Sequence, residues 1–127
     1  MDSFSQKIIS WYEINGRKNL PWQVEDPYKV WISEIMLQQT QVKTVIPYFE
    51  NFTSRFPDIE SLAEASLDDV LSLWSGLGYY SRARNIHKTA IILKKDFDCF
   101  LPNNLEALML LPGIGFSTAG AILSLGF

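Results

Sequence analysis

Residues 33–41 read SEIMLQQTQ. One carboxylate, Glu34, stands inside an apolar run of Val30, Trp31, Ile32, Ile35, Met36 and Leu37, and three glutamines follow it. On a helix, Glu34 shares a face with Val30, Trp31 and Gln38 and lies near Leu37. Water is then largely excluded from one side of the carboxyl. Burial disfavours the charged form of a carboxyl, so such an acid can hold its proton near neutral pH and act as a general acid. From the helix alone, an ordinary glutamate at the edge of a core is the better reading, since perturbed acids are rare.

A second stretch with chemistry in it is LLPGIGFSTAG, residues 110–120. A short apolar helix runs into Pro112-Gly113-Ile114-Gly115, and a helix of small residues leaves. The two glycines can take backbone angles closed to other residues, and nothing shields their N–H groups. The next helix begins there, so its free N–H groups point the same way. That arrangement suits an anion such as a phosphate without needing a positive side chain. A plain helix–loop–helix corner, with glycines for geometry alone, fits the shape equally well. Ala119, Gly120 and Ala121 let the second helix pack tightly on the first.

Arg82, Arg84, His87 and Lys88 make the one basic cluster. Most such clusters are solvated helix faces, and a lone histidine there is usually structural. The net charge of −3 argues weakly against a nucleic-acid partner, but a small basic patch can work on an acidic body.

Helices must position these groups, and the chain reads as all-α. Phe4, Ile8, Trp11 and Tyr12 recur at helical spacing over residues 3–14, and Asn15-Gly16 is a good stop. After the loop RKNLPWQVEDP, Pro27 opens a helix running to about Gln39. Gln41–Phe52 follows, with Pro47 a bend. Residues 59–64 form a short helix. Ser66 and Asp69 make a capping box for LDDVLSLW, which Gly76 and Gly78 end. Tyr79–Lys95 is the longest helix. Asn103 or Asn104 caps a helix to Leu111, and Ser117–Leu125 starts another. Nothing alternates with period two, so no sheet is expected.

The 127 residues suffice for one domain with one core, and 47% hydrophobic with 20% charged residues reads as globular. No apolar run is long enough to span a bilayer, and no signal pattern opens the chain. The single cysteine, Cys99, excludes an internal disulfide and a cysteine-built metal site within these residues.

The hairpin string looks like the helix-hairpin-helix of the base-excision DNA glycosylases. PYKVWISEIMLQQTQV (27–42), GRKNLPWQ (16–23) and LWSGLGYYSRARNIHK (73–88) closely resemble the adenine DNA glycosylases within that superfamily, in the same order. Those enzymes remove adenine mispaired with 8-oxoguanine or guanine. The resemblance implies double-stranded DNA as the partner, with the adenine flipped into a pocket because its bonds are unreachable in the stack. Glu34 matches the general acid that protonates N7 of adenine. Leu20 and Trp22 resemble residues lining the adenine pocket, with Ser117 beside it. Gln39, Thr40, Leu77 and Tyr79 match the wedge and the lesion side. Gly113, Ile114 and Gly115 match the loop gripping the backbone, and Arg82, Arg84 and Lys88 are expected on phosphates. Ser117 stands where relatives resembling endonuclease III carry a lysine. Serine cannot form their Schiff base, which favours simple hydrolysis. Phe116 departs from the polar residue or proline usual there.

By resemblance, residues 1–20 are a leading helix and 21–127 most of a six-helix barrel domain, with the helix-hairpin-helix at 105–125. The family's second carboxylate, its four-iron four-sulfur cluster and its iron–sulfur domain have no residues here, so the chain is expected to be an N-terminal fragment of low activity that binds no cofactor. The leading helix would then lack its cover, which predicts self-association through Phe4, Ile8, Trp11 and Tyr12. The implied compartment is the cytoplasm in a bacterium, otherwise the nucleus or mitochondrion. A non-enzymatic DNA-binding hairpin module and a bifunctional glycosylase-lyase are the alternatives.

Overall fold

The computed structural model describes residues 25–127. The expected leading helix, and with it Leu20 and Trp22, lies outside the described residues.

Helix α1, Pro27–Leu37, starts where two local devices coincide. Asp26 accepts a hydrogen bond from the Tyr28 N–H at 3.0 Å, and Pro27 needs no partner at the first helical position. Tyr28 and every residue from Val30 to Leu37 are buried. A helix covered on all sides is the centre of a core, not an amphipathic surface helix. The Tyr28 hydroxyl donates to the Phe56 carbonyl at 2.6 Å, which ties the start of α1 to the end of the next helix.

That helix, α2, spans Val42–Arg55 and contains Pro47. It runs past the expected end at Phe52. Val45, Phe49 and Phe52 face inward at spacings of four and three. Phe52 meets Phe56 and Trp74 edge-on, with ring centroids at 5.3 and 6.1 Å. Helix α3, Ile59–Glu64, begins at a reciprocal capping box between Asp58 and Ser61. Helix α4, Leu67–Trp74, is capped by the Ser66 hydroxyl, which accepts from the Asp69 N–H at 3.1 Å. This is the expected cap, with the reciprocal bond recorded at Asp58 and Ser61 instead.

Helix α5, Tyr80–Asp96, packs on α3 and α4. Ala83, Ile86, Ala90 and Leu93 repeat at three and four to face the core. Helix α6, Leu105–Met109, is capped by Asn104 and ends earlier than expected. Helix α7, Phe116–Ala121, passes into a π-helical turn, Ile122–Gly126. That turn packs on α1: a side chain at Gly126 would meet the Pro27 Cα at 2.7 Å, so the backbones touch. One core cluster joins all seven helices and the π-turn, and no strand occurs among the described residues.

Candidate active site and nucleic-acid interface

Glu34 sits in the C-terminal half of α1 and is 2% exposed. The sequence suggested one apolar side; the structure surrounds the carboxyl, because α2, α7 and the π-turn all pack on α1. Its neighbour Ser33 is buried too, and donates to the Val30 carbonyl within the helix at 2.8 Å. The Gln38 amide donates to the Thr118 hydroxyl at 3.4 Å, fastening the end of α1 to α7. Half-buried Ser117 is therefore carried on a helix fixed beside the one bearing Glu34.

A pocket of about 90 Å³ lies between α1, α5 and the hairpin, and Glu34 is not among the residues that line it. Trp31, Gln38, Arg82, Asn85, Pro112 and Gly113 line it. Trp31 and Gln38 are on the Glu34 face of α1, three residues before it and four after. The pocket thus joins the acid-bearing helix to the glycine hairpin.

The hairpin is positioned from α5. Buried Thr89 donates to the Pro112 carbonyl at 2.9 Å, and Ile114 is buried as a plug at 4% exposure. Gly113 takes φ +78°, and a Cβ there would stand 3.0 Å from the Asn85 Cβ. Gly115 is different from expectation. Its φ of −92° is open to any residue, and a Cβ would meet nothing within 4 Å. The hairpin needs glycine for its angle at 113 only; at 115 the outer surface is simply bare. Both glycines are exposed.

Two loops flank the end of α1. Beyond Leu37 the chain turns at Gln39, exposed and at φ 60°, and the Thr40 hydroxyl donates to the Gln38 carbonyl at 3.3 Å. Tyr79 caps α5 rather than starting it, with φ 52° and a side chain 63% exposed. Leu77, expected with the wedge residues, is 8% exposed and packs into the core cluster. Gly76 and Gly78 have φ of 93° and 83°, as their place at a helix end requires.

Arg82 corrects the reading of the basic cluster. Its guanidinium turns inward onto backbone carbonyls, as four hydrogen bonds show. Burial lowers its pKa from the ordinary arginine value, opposed by Tyr79, and an arginine so placed still carries its charge. Arg84 and Lys88 are exposed on one face of α5. His87 Nε2–H donates to the Ala65 carbonyl, 2.8 Å away, a structural tether between the end of α3 and α5.

Among the described residues, no group of three or more His, Cys, Asp or Glu is placed to hold a metal ion. Cys99, single and half-buried, cannot supply the four thiolates of an iron–sulfur cluster. No helix among them is long and apolar enough to cross a membrane.

The family model described as HhH-GPD superfamily base excision DNA repair protein matches residues 32–123. The chain belongs to the HhH-GPD superfamily. It is 66% identical over 123 residues to an adenine DNA glycosylase of Buchnera aphidicola subsp. Schizaphis graminum, covering 96% of this chain and 35% of that protein. A human adenine DNA glycosylase is 43% identical over 135 residues, covering 98% of this chain and 24% of its own. The chain thus spans about a third or less of these curated relatives. A thermostable thymine-DNA glycosylase shares the fold with a TM-score of 0.81 and 25% identity, covering 98% of this chain and 58% of that one. A non-covalent endonuclease III–DNA complex matches with a TM-score of 0.77 at 20% identity, covering 97% of this chain and 60% of that one, and bears on the fold alone.

Three features of this HhH-GPD chain escaped the sequence. The Gln38–Thr118 and Thr89–Pro112 bonds join residues far apart in the chain, with no local signal. Asn85, packed against Gly113, carried a clue only in hindsight: it lies three residues past Arg82, on the same helix face.

Proposed function

We propose that this chain forms the acid-bearing, DNA-gripping part of an adenine DNA glycosylase acting on double-stranded DNA, with adenine opposite 8-oxoguanine or guanine as the target. The observation that carries the proposal is the burial of Glu34 in the C-terminal half of α1, with exposed Gln39 and Tyr79 in the loops beyond that helix and before α5. A carboxylic acid shielded from water favours its protonated form. Glu34 would deliver that proton to N7 of an extruded adenine. The C1′–N9 bond then breaks with its electron pair leaving on the base. Water supplies hydroxyl to C1′ and returns a proton to the solvent.

Gln39 and Tyr79 would fill the space left in the stack, since planar groups replace stacked bases at about 1–3 kcal/mol each, with Thr40 contacting the lesion side beside them. The N–H groups of Gly113 and Gly115 would hold a backbone phosphate, the Ile114 N–H being spent on the Leu111 carbonyl. Ser117 leaves no amine for attack on the sugar, so hydrolysis without strand cleavage is the expected reaction.

The test is single-turnover release of adenine from an adenine·8-oxoguanine duplex by the purified chain and by Glu34→Gln. Release abolished by the substitution supports the proposal. Release that survives it removes Glu34 from the chemistry. Duplex binding with neither release nor mispair preference would instead assign the chain to a non-enzymatic hairpin module.

A further inference from the structure

We propose that Arg82 is a positioning residue that sets Gln39 and Tyr79 together, as one device, on the surface that faces DNA. The inference rests on the reading that these two side chains enter the duplex. Among the described residues, only Gln39, Tyr79, Asp98 and Cys99 are non-glycine residues with positive φ. A left-handed backbone at such residues is strained and persists only where the surroundings enforce it.

Arg82 is the enforcing group at both places. Its Nη1 donates to the Gln38 carbonyl at 2.7 Å, the peptide immediately before Gln39. Its Nη2 donates to the Gly78 carbonyl at 3.3 Å, the peptide immediately before Tyr79. The same Nη1 reaches the Ile35 and Met36 carbonyls at 2.6 and 3.3 Å at the end of α1, where the Ile35 carbonyl also accepts from the Gln38 N–H. The guanidinium also lies 5.5 Å from the ring centroids of both Trp74 and Tyr79. Trp74 adds a second donor to the Gly78 carbonyl at 3.0 Å. One planar cation therefore ties the end of α1 to the start of α5 and orients the two peptides whose following residues project outward. An ammonium is a compact point charge and cannot span both peptides with fixed directions.

The experiment compares the chain with Arg82→Lys by amide hydrogen exchange, free of DNA, and by fluorescence of 2-aminopurine placed next to a mispaired adenine. Exchange at 38–41 and 77–80 is expected to rise together by roughly tenfold, with the helix interiors unchanged. The fluorescence gain on binding is expected to fall by about threefold as stacking is lost, while the salt dependence of binding stays as in the unsubstituted chain. Exchange that rises in neither segment, in one alone, or evenly across the molecule overturns the inference. Paired loosening in a chain that produces no fluorescence gain at all keeps Arg82 as the clamp and rejects entry into the duplex. Should Arg82→Lys fail to fold, nuclear magnetic resonance of the unsubstituted chain decides: Nη protons of Arg82 resolved and slow to exchange support the clamp, and freely averaged ones overturn it.

Discussion

The Thr89 hydroxyl, wholly buried on α5, donates to the Pro112 carbonyl at 2.9 Å and so fixes where the glycine hairpin begins. Thr89→Val keeps the shape and removes the donor. The carbonyl then loses its partner, which should lower the unfolding free energy by about 1–2 kcal/mol and with it the urea midpoint. An unchanged midpoint would mean that the hairpin is held by Ile114 alone.

Gly113 and Gly115 are expected to respond differently to the same substitution. Gly113→Ala forces a side chain onto φ +78° and against Asn85, so stability should drop by about 1–3 kcal/mol. Gly115→Ala enters open space at ordinary angles and should leave stability within about 0.5 kcal/mol. It should nevertheless weaken duplex binding by about tenfold, because the added methyl group stands where a phosphate would approach. Denaturation and binding measured on both variants check the contrast.

Tyr28 gives the fold a base-labile component. Burial, with Asp58 and Asp26 adding, pushes its phenol far above the ordinary value of 10.0. In the unfolded chain the phenol ionises near that ordinary value; in the folded chain it stays protonated. Its contribution is complete below pH 10 and is lost as pH rises further, at about 1.4 kcal/mol per pH unit. Tyr28→Phe should be less stable at neutral pH by about 1 kcal/mol, having lost the bond to Phe56. It should also unfold with a shallower pH dependence above 10. Parallel curves for the two proteins would remove Tyr28 as the source.

What the sequence revealed was local chemistry. Ser66 and Asn104 act within three residues of themselves, and both caps stand where their types placed them. The hairpin and Glu34 were legible as strings. What covers Glu34 was not, because α7 and the π-turn come from the far end of the chain. Arg82 shows the same limit. Its side chain is of the same type as that of Arg84, two residues on, and only helix phase separates them. The acceptors that draw Arg82 inward lie 44 to 47 residues earlier for three of its four bonds. Tyr79 reads as the first residue of a helix but caps it in a left-handed backbone, beside an Arg82 guanidinium whose other three acceptors lie on the distant end of α1.

The inward turn of Arg82 leaves Arg84 and Lys88 as the cations of that cluster exposed to solvent. They stand four residues apart, so they share one face of α5. Each phosphate contact contributes about 0.9 to the slope of log binding constant against log salt. Arg84→Ala and Lys88→Ala should each lower the magnitude of that slope by about 0.9, and together by about twice that, with a uniform loss across duplex sequences. Neither side chain makes a hydrogen bond or ion pair among the described residues, so unfolding free energies should stay within about 0.5 kcal/mol. Arg82→Lys keeps its charge and should leave the slope alone. A slope that falls for Arg82→Lys but not for Arg84→Ala would reverse the assignment of which arginine meets the phosphates.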